Sequence, residues 1–177
     1  GISREMADAF AVESHRKANE GRDRRNEEIC PVYIPPKFKK VMTEDNGPRD
    51  DQTPEVLARL RPVFDKRTGM VTAANASQIT DGASVMLVTT AEIAEEMSLK
   101  PRAKIVSMAV AGVDASIMGY GPVPATQKAL KRAGMTIEDV EYVELNEAFA
   151  AQSLPVIKDL KLMDRQDNVN VNGGAIA

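Results

Sequence analysis

The 177-residue sequence holds a single cysteine, Cys30, and a single histidine, His15. One cysteine closes no loop within a chain, which excludes a disulfide-stapled secreted scaffold and fits a reducing compartment. No apolar run approaches the roughly 18 to 20 residues of a spanning helix, and the opening GISREMADAF is not a signal peptide. Positive charge is not in excess. With 23 Lys plus Arg against 26 Asp plus Glu, the formal net charge is −3, so the chain as a whole does not draw nucleic-acid phosphates. Repeats and low-complexity tracts are missing. There is no initiator Met, and the chain finishes on a strand running into Gly173 and Gly174; both ends look cut, as in a segment of a longer polypeptide. What is present, 43% hydrophobic and 28% charged residues, lies in the globular range and predicts a real core.

Ser3 to Glu20 has helical spacing, with Ser3 as N-cap and Gly21 as stop. Residues 22 to 52 carry arginines, prolines and the Lys37, Lys39, Lys40 cluster and read as an irregular, exposed excursion. Thr53-Pro54 opens a short helix. From residue 71 the pattern predicts alternating elements: strands at 71–73, 83–90, 103–113, 140–145 and 169–171, and helices at 91–99, 124–133 and 147–160. Gly134 closes the second of these helices. Such alternation argues for an α/β fold, a layered sheet covered by helices.

Five stretches occur in order: Asn75-Ala76-Ser77, Asp81-Gly82-Ala83, Met118 to Ala125 (MGYGPVPA), Asn146 to Gln152 (NEAFAAQ), and Asn170 to Ala177 (NVNGGAIA). Together they resemble the thiolase family over essentially the whole chain. GYGPVPA, ELNEAFAAQ and SLPVIKDL are most similar to the degradative thiolase subunit of bacterial fatty-acid oxidation complexes. The resemblance implies a thiolase-like layered sheet-and-helix fold, partial here, with part of an inserted loop domain that covers coenzyme A. Residues 1–70 would belong to that loop domain, 71–100 to the end of the N-terminal half and 101–177 to the start of the C-terminal half.

The resemblance also implies acyl transfer to and from coenzyme A: cleavage of a 3-ketoacyl-CoA, or in the biosynthetic direction formation of acetoacetyl-CoA. Coenzyme A would be a substrate, with no permanently bound cofactor and no metal. The family's nucleophilic Cys would lie before this segment, and its GHP histidine and second Cys after it, so the segment alone is expected to be inactive. Homodimers or homotetramers, a hydratase/dehydrogenase partner subunit and a cytoplasmic location, mitochondrial or peroxisomal in a eukaryote, are expected on the same ground. Use of the chain as a non-catalytic acyl-CoA-binding or assembly module is the alternative.

By the same resemblance, Asn146 would hold a water in the oxyanion hole; its residue-level alternative is a helix N-cap before Glu147. Ser77 would bond the pantetheine arm, or else serve as a turn hydroxyl. Arg49 would lie beside the adenine of coenzyme A, or be a solvated surface arginine. Phe64 and Met118 would flank the pantetheine and acyl end, or pack in the core. Ala148 and Phe149 complete the coenzyme A-binding set. His15 reads as a surface histidine and Cys30 as a small hydrophobe. Gly173-Gly174 reads as a tight turn permitting close backbone approach.

Overall fold

A computed structural model describes residues 1–177. Its longest helix, α1 (Arg4–Glu20), starts where Ser3 Oγ accepts a hydrogen bond from Met6 N at 3.2 Å. Ala7, Ala11 and Ala18 line its buried face, and these small side chains let neighbouring elements approach closely. The excursion that follows contains a short helix, α2 (Arg22–Asn26), and an antiparallel pair, β1 (Val32–Tyr33) with β2 (Val41–Met42), Val32 opposite Met42. It is otherwise exposed and irregular, as its composition predicts. Helix α3 (Pro54–Ala58) is capped by Thr53 with Pro54 in its first turn, and its Leu57 is fully buried.

Helix α4 (Ala91–Glu96) is capped by Thr90. A 3-10 turn, Ala115–Tyr120, leads into α5 (Pro122–Ala133), which Gly134 ends in the left-handed conformation at φ +67°. Helix α6 (Ala150–Asp159) sits at the centre and joins two clusters. One gathers Val123, Leu145, Val156, Ile157, Leu160, Leu162 and Val169; the other joins Ala150 to Ala7, Ala11, Leu57 and Ile176.

The expected strands are where the structure departs most from the pattern. Residues 71–73 do not run as a strand: Ala73 and Ala74 form a turn, because the Asn75 side chain takes over local backbone groups. Residues 140–145 and 169–171 meet in a single parallel bridge, Val143 with Val169. Residues 83–90 and 103–113 join no ladder. Val85 is 101% and Leu87 77% exposed. A strand is defined by its partner, and within these 177 residues none lies beside either segment. Segment 103–113 runs instead along α5, where Arg132 donates to Met108 O at 2.6 Å and Lys128 to Val110 O at 3.2 Å. No helix is long and apolar enough to cross a membrane.

Candidate functional site

Two loops face each other at the start of α6. The first is the 72–77 turn. Asn75 is buried; its Oδ1 accepts from Thr72 N at 2.8 Å, and its Nδ2 donates to Asp8 Oδ1 and Met70 O, each at 2.8 Å. Asp8 is in turn paired with Arg4 at 2.7 Å, whose guanidinium also donates to Leu57 O and Leu60 O. One network therefore fixes α1, α3 and the turn together. The second loop is Asn146–Phe149. It docks onto the first through Ala150 N to Asn75 O at 2.9 Å, Ser77 N to Ala148 O at 3.0 Å, and an antiparallel bridge between Ala76 and Phe149.

Ser77, Ala148 and Phe149 are thereby brought to one edge. Beside them lies an apolar cavity of about 460 Å³ whose lining includes Phe64, Val71, Met118, Gly119, Phe149 and Gln152. Phe64 and Phe149 meet edge to face, ring centroids 6.4 Å apart at 64°, a contact worth roughly 0.5–1.5 kcal/mol beyond its buried area. Phe64 is nevertheless 76% exposed and Met118 also lies open. Neither side chain packs in a core formed by these 177 residues. Gly119 lets the 3-10 turn approach α6: a Cβ there would come within 2.6 Å of Gln152 Cγ.

Asn146 caps no helix. Helix α6 begins at Ala150 with Phe149 in the N-cap position, three residues beyond Asn146, which removes the N-cap alternative. Its carboxamide is exposed and makes no hydrogen bond within the chain, so both its donor and its acceptor are open to a water or a ligand. The residues on either side of it are buried. Leu145 exchanges both backbone bonds with the Asn170 side chain, at 2.7 and 2.8 Å. Glu147, 1% exposed, accepts from Ser14 Oγ at 2.6 Å, Asn170 Nδ2 at 2.8 Å and Ile176 N at 3.2 Å.

A buried carboxylate without such donors would be costly, and three of them offset the lost hydration. Partial desolvation of its carboxyl and then the Glu147 charge raise Glu144 above the ordinary glutamate range, against the pull of Lys17. Sequence reasoning passed over Glu147, Ser14, Asn170, Asp8 and the anchoring role of Asn75. A signal was present for Glu147: it continues the inward alternation Val143, Leu145, Glu147 that a strand places on one face.

Arg49 is not among the residues lining the cavity. Its backbone is tied to α1, where its N donates to His15 Nδ1 at 3.2 Å and its carbonyl accepts from Asn19 at 3.0 Å; the guanidinium is exposed and unpaired. His15 is only 4% exposed, so the surface reading of it is wrong: the backbone at Arg49 docks against α1 and donates to its ring. Burial, and secondarily the Arg49 charge, hold its pKa below the ordinary histidine value. Cys30 is exposed and free, so it packs nowhere as a hydrophobe. The glycine turn is as expected: Gly173 adopts φ +78° against α1, and a Cβ on Gly174 would fall on the Glu147 carboxylate.

Residues 1–92 match the family model for the thiolase N-terminal domain and residues 99–177 that for the thiolase C-terminal domain. Among curated proteins, the chain is 59% identical to a 3-ketoacyl-CoA thiolase of Alcanivorax borkumensis and 55% identical to one of a Psychrobacter species. All of this chain is covered in both cases, against 46% of each relative, so it spans about half the length of the curated relatives it matches. Among solved structures it is similar to the Bacillus anthracis acetyl-CoA acetyltransferase, with 43% identity and TM-score 0.93 over 99% of this chain and 44% of that one. It is also similar to human mitochondrial 3-ketoacyl-CoA thiolase in complex with CoA, with 41% identity and TM-score 0.86 over 99% of this chain and 43% of that one.

Proposed function

Because the chain belongs to the thiolase family and carries a partial helix-and-sheet portion of its fold, we propose that the whole protein is a 3-ketoacyl-CoA thiolase. Such an acyltransferase cleaves a 3-ketoacyl-CoA with free coenzyme A into acetyl-CoA and a shortened acyl-CoA. The degradative reading is favoured over a biosynthetic acetoacetyl-CoA thiolase by the 55–59% identity to proteins named 3-ketoacyl-CoA thiolase. In this reading residues 1–70 are part of the loop domain covering coenzyme A, 71–100 close the N-terminal half and 101–177 open the C-terminal half.

The observation that carries the proposal is the meeting of Phe64, Met118 and Phe149 around one apolar cavity, with Ser77 and the Asn146–Phe149 loop at its edge. An apolar trough with a few polar groups on its rim suits a pantetheine arm and acyl chain: the walls take methylenes and the rim takes amides. Arg49, exposed and unpaired where its backbone docks on α1, is proposed to face the adenine and phosphates at a distance from that trough. Attack of a thiolate on a carbonyl moves negative charge onto oxygen. A water held by the free Asn146 carboxamide would donate to that oxygen without solvent reorganisation.

The chain's own sulfur and imidazole do not serve as nucleophile and base. Cys30 is free and exposed, and His15 Nδ1 is engaged by Arg49 N. Self-association, pairing with a hydratase/dehydrogenase subunit and a cytoplasmic setting belong to the same reading; sedimentation of the whole protein tests the first two. The central test is Asn146→Ala in the full-length enzyme, assayed on acetoacetyl-CoA and a longer 3-ketoacyl-CoA. We expect kcat to fall roughly 10- to 10³-fold with little change in KM. Preserved kcat would remove Asn146 from the reaction.

A further inference from the structure

Asn146 is open to solvent and makes no bond of its own, yet an oxyanion donor contributes only if it is held in place before the reaction. What holds it lies on either side. Leu145 is clamped through its backbone N–H and C=O by Asn170, and Glu147 is clamped through its carboxylate by Ser14, Asn170 and Ile176 N. Asn170 belongs to both clamps and sits at φ +49°, a conformation asparagine tolerates better than most residues. Ser14 Oγ, while donating to Glu147, accepts from Gly174 N at 3.2 Å, so the glycine turn closes the same network. No cation lies within ion-pair distance of Glu147; its partners are all directional hydrogen-bond donors. A charge satisfied by direction rather than by a mobile cation has one orientation.

We propose that Glu147 is a positioning residue for the reaction, the centre of a buried Ser14–Glu147–Asn170 network that fixes the backbone on both sides of Asn146 and so aims its carboxamide. The inference rests on the proposed role of Asn146. Glu147 itself touches no substrate in this account: its carboxylate faces α1 and the 170–176 turn. Replacing it by glutamine keeps size and shape but turns one oxygen into an N–H group. That group then confronts a donor, either Asn170 Nδ2 or Ile176 N.

The experiment compares Glu147→Gln, Asn146→Ala and the double variant in the full-length enzyme, with thiolysis kinetics and a melting curve on each. Glu147→Gln is expected to lower kcat roughly 10-fold per folded molecule with KM for coenzyme A within about twofold, as a displaced reactive geometry does. The double variant should be no slower than Asn146→Ala alone, because Glu147 acts through Asn146. Unchanged kcat in Glu147→Gln, or losses that multiply in the double variant, would overturn the inference. If Asn146→Ala itself leaves kcat intact, the proposed function of Asn146 fails and takes this inference with it. Loss in Asn146→Ala without loss in Glu147→Gln rejects the positioning role alone. Should Glu147→Gln fail to fold, Ser14→Ala removes one donor and leaves two; it is expected to lower kcat about threefold by the same route, and no change there counts against the network.

Discussion

Asn75→Ala removes an amide that touches three partners at once. Thr72, fully buried, loses the acceptor for its N–H; Met70 O and Asp8 Oδ1 each lose a donor, while Asp8 keeps Arg4. A buried polar group stripped of its partner costs about 1–3 kcal/mol. With three groups affected, one of them only partly buried, the loss should be roughly 3–5 kcal/mol, a large share of the ~5–15 kcal/mol that holds a domain together. The measurement is urea unfolding of the full-length protein at constant m value. Because Ser77 and Ala150 hang on the same turn through Ala148 O and Asn75 O, KM for coenzyme A should rise as well. Asn75→Asp separates charge from shape. The Thr72 bond survives, but a second carboxylate now faces Asp8, and Met70 O loses its donor. Asn75→Asp should therefore be destabilised as well, although it keeps the shape of the amide. An Asn75→Ala variant within about 1 kcal/mol of the parent, or an Asn75→Asp variant as stable as the parent, would refute the accounting.

The 177-residue chain by itself should show no turnover of acetoacetyl-CoA, since its Cys30 and His15 are neither paired nor at the cavity; a spectrophotometric thiolysis assay decides. Arg49→Ala should raise KM for coenzyme A more than KM for a pantetheine thioester lacking adenine, and equal effects would return Arg49 to the plain surface. His15 has its folded pKa below its unfolded one, so its share of stability is complete above about pH 6.5 and declines as pH drops below that value; in His15→Gln that part of the pH dependence, followed by melting temperature, should vanish. Gly173→Ala forces a Cβ at φ +78° within 2.6 Å of Ala18 Cβ and 2.7 Å of Ser14 O, and should cost more than the ~1 kcal/mol of an unstrained change. Gly119→Ala brings a Cβ within 2.6 Å of Gln152 Cγ and 3.2 Å of its Cβ, the root of a side chain held on α6, and should lower the melting temperature as well as raise KM.

What the sequence disclosed was governed by local chemistry. Ser3, Thr53 with Pro54, and Gly134 announce helix ends because a cap acts within one turn, and the structure puts α1, α3 and α5 there. Phe64, Met118 and Phe149 do line one cavity, and Ser77 reaches the Asn146–Phe149 loop. Strands depend on partners remote in the chain, so apolar runs at 83–90 and 103–113 could be recognised as strand-forming without revealing that they lie unpaired here. His15 was misplaced for a related reason: nothing in the α1 periodicity shows that backbone more than thirty residues later will dock against it. Glu147 escaped notice because a glutamate is ordinarily solvated, and its donors come from residues 14, 170 and 176.

The two unpaired apolar segments differ in one respect that bears on how this polypeptide behaves in solution. Along 103–113, the Arg132 and Lys128 side chains occupy the carbonyls of Met108 and Val110, and Ser107 Oγ donates to Ala129 O. Each cation does what a neighbouring strand would do for that carbonyl while adding charge repulsion against another chain. Residues 84–90, SVMLVTT, have no such guard: no charge, no proline and no hydrogen bond from residues 84–89. Short apolar, uncharged, β-favouring stretches of this kind are the windows from which cross-β stacking spreads. Precipitation of the isolated chain should therefore begin at 84–90, and a lysine placed at Met86 should delay it, while the same change at Met108 should do much less.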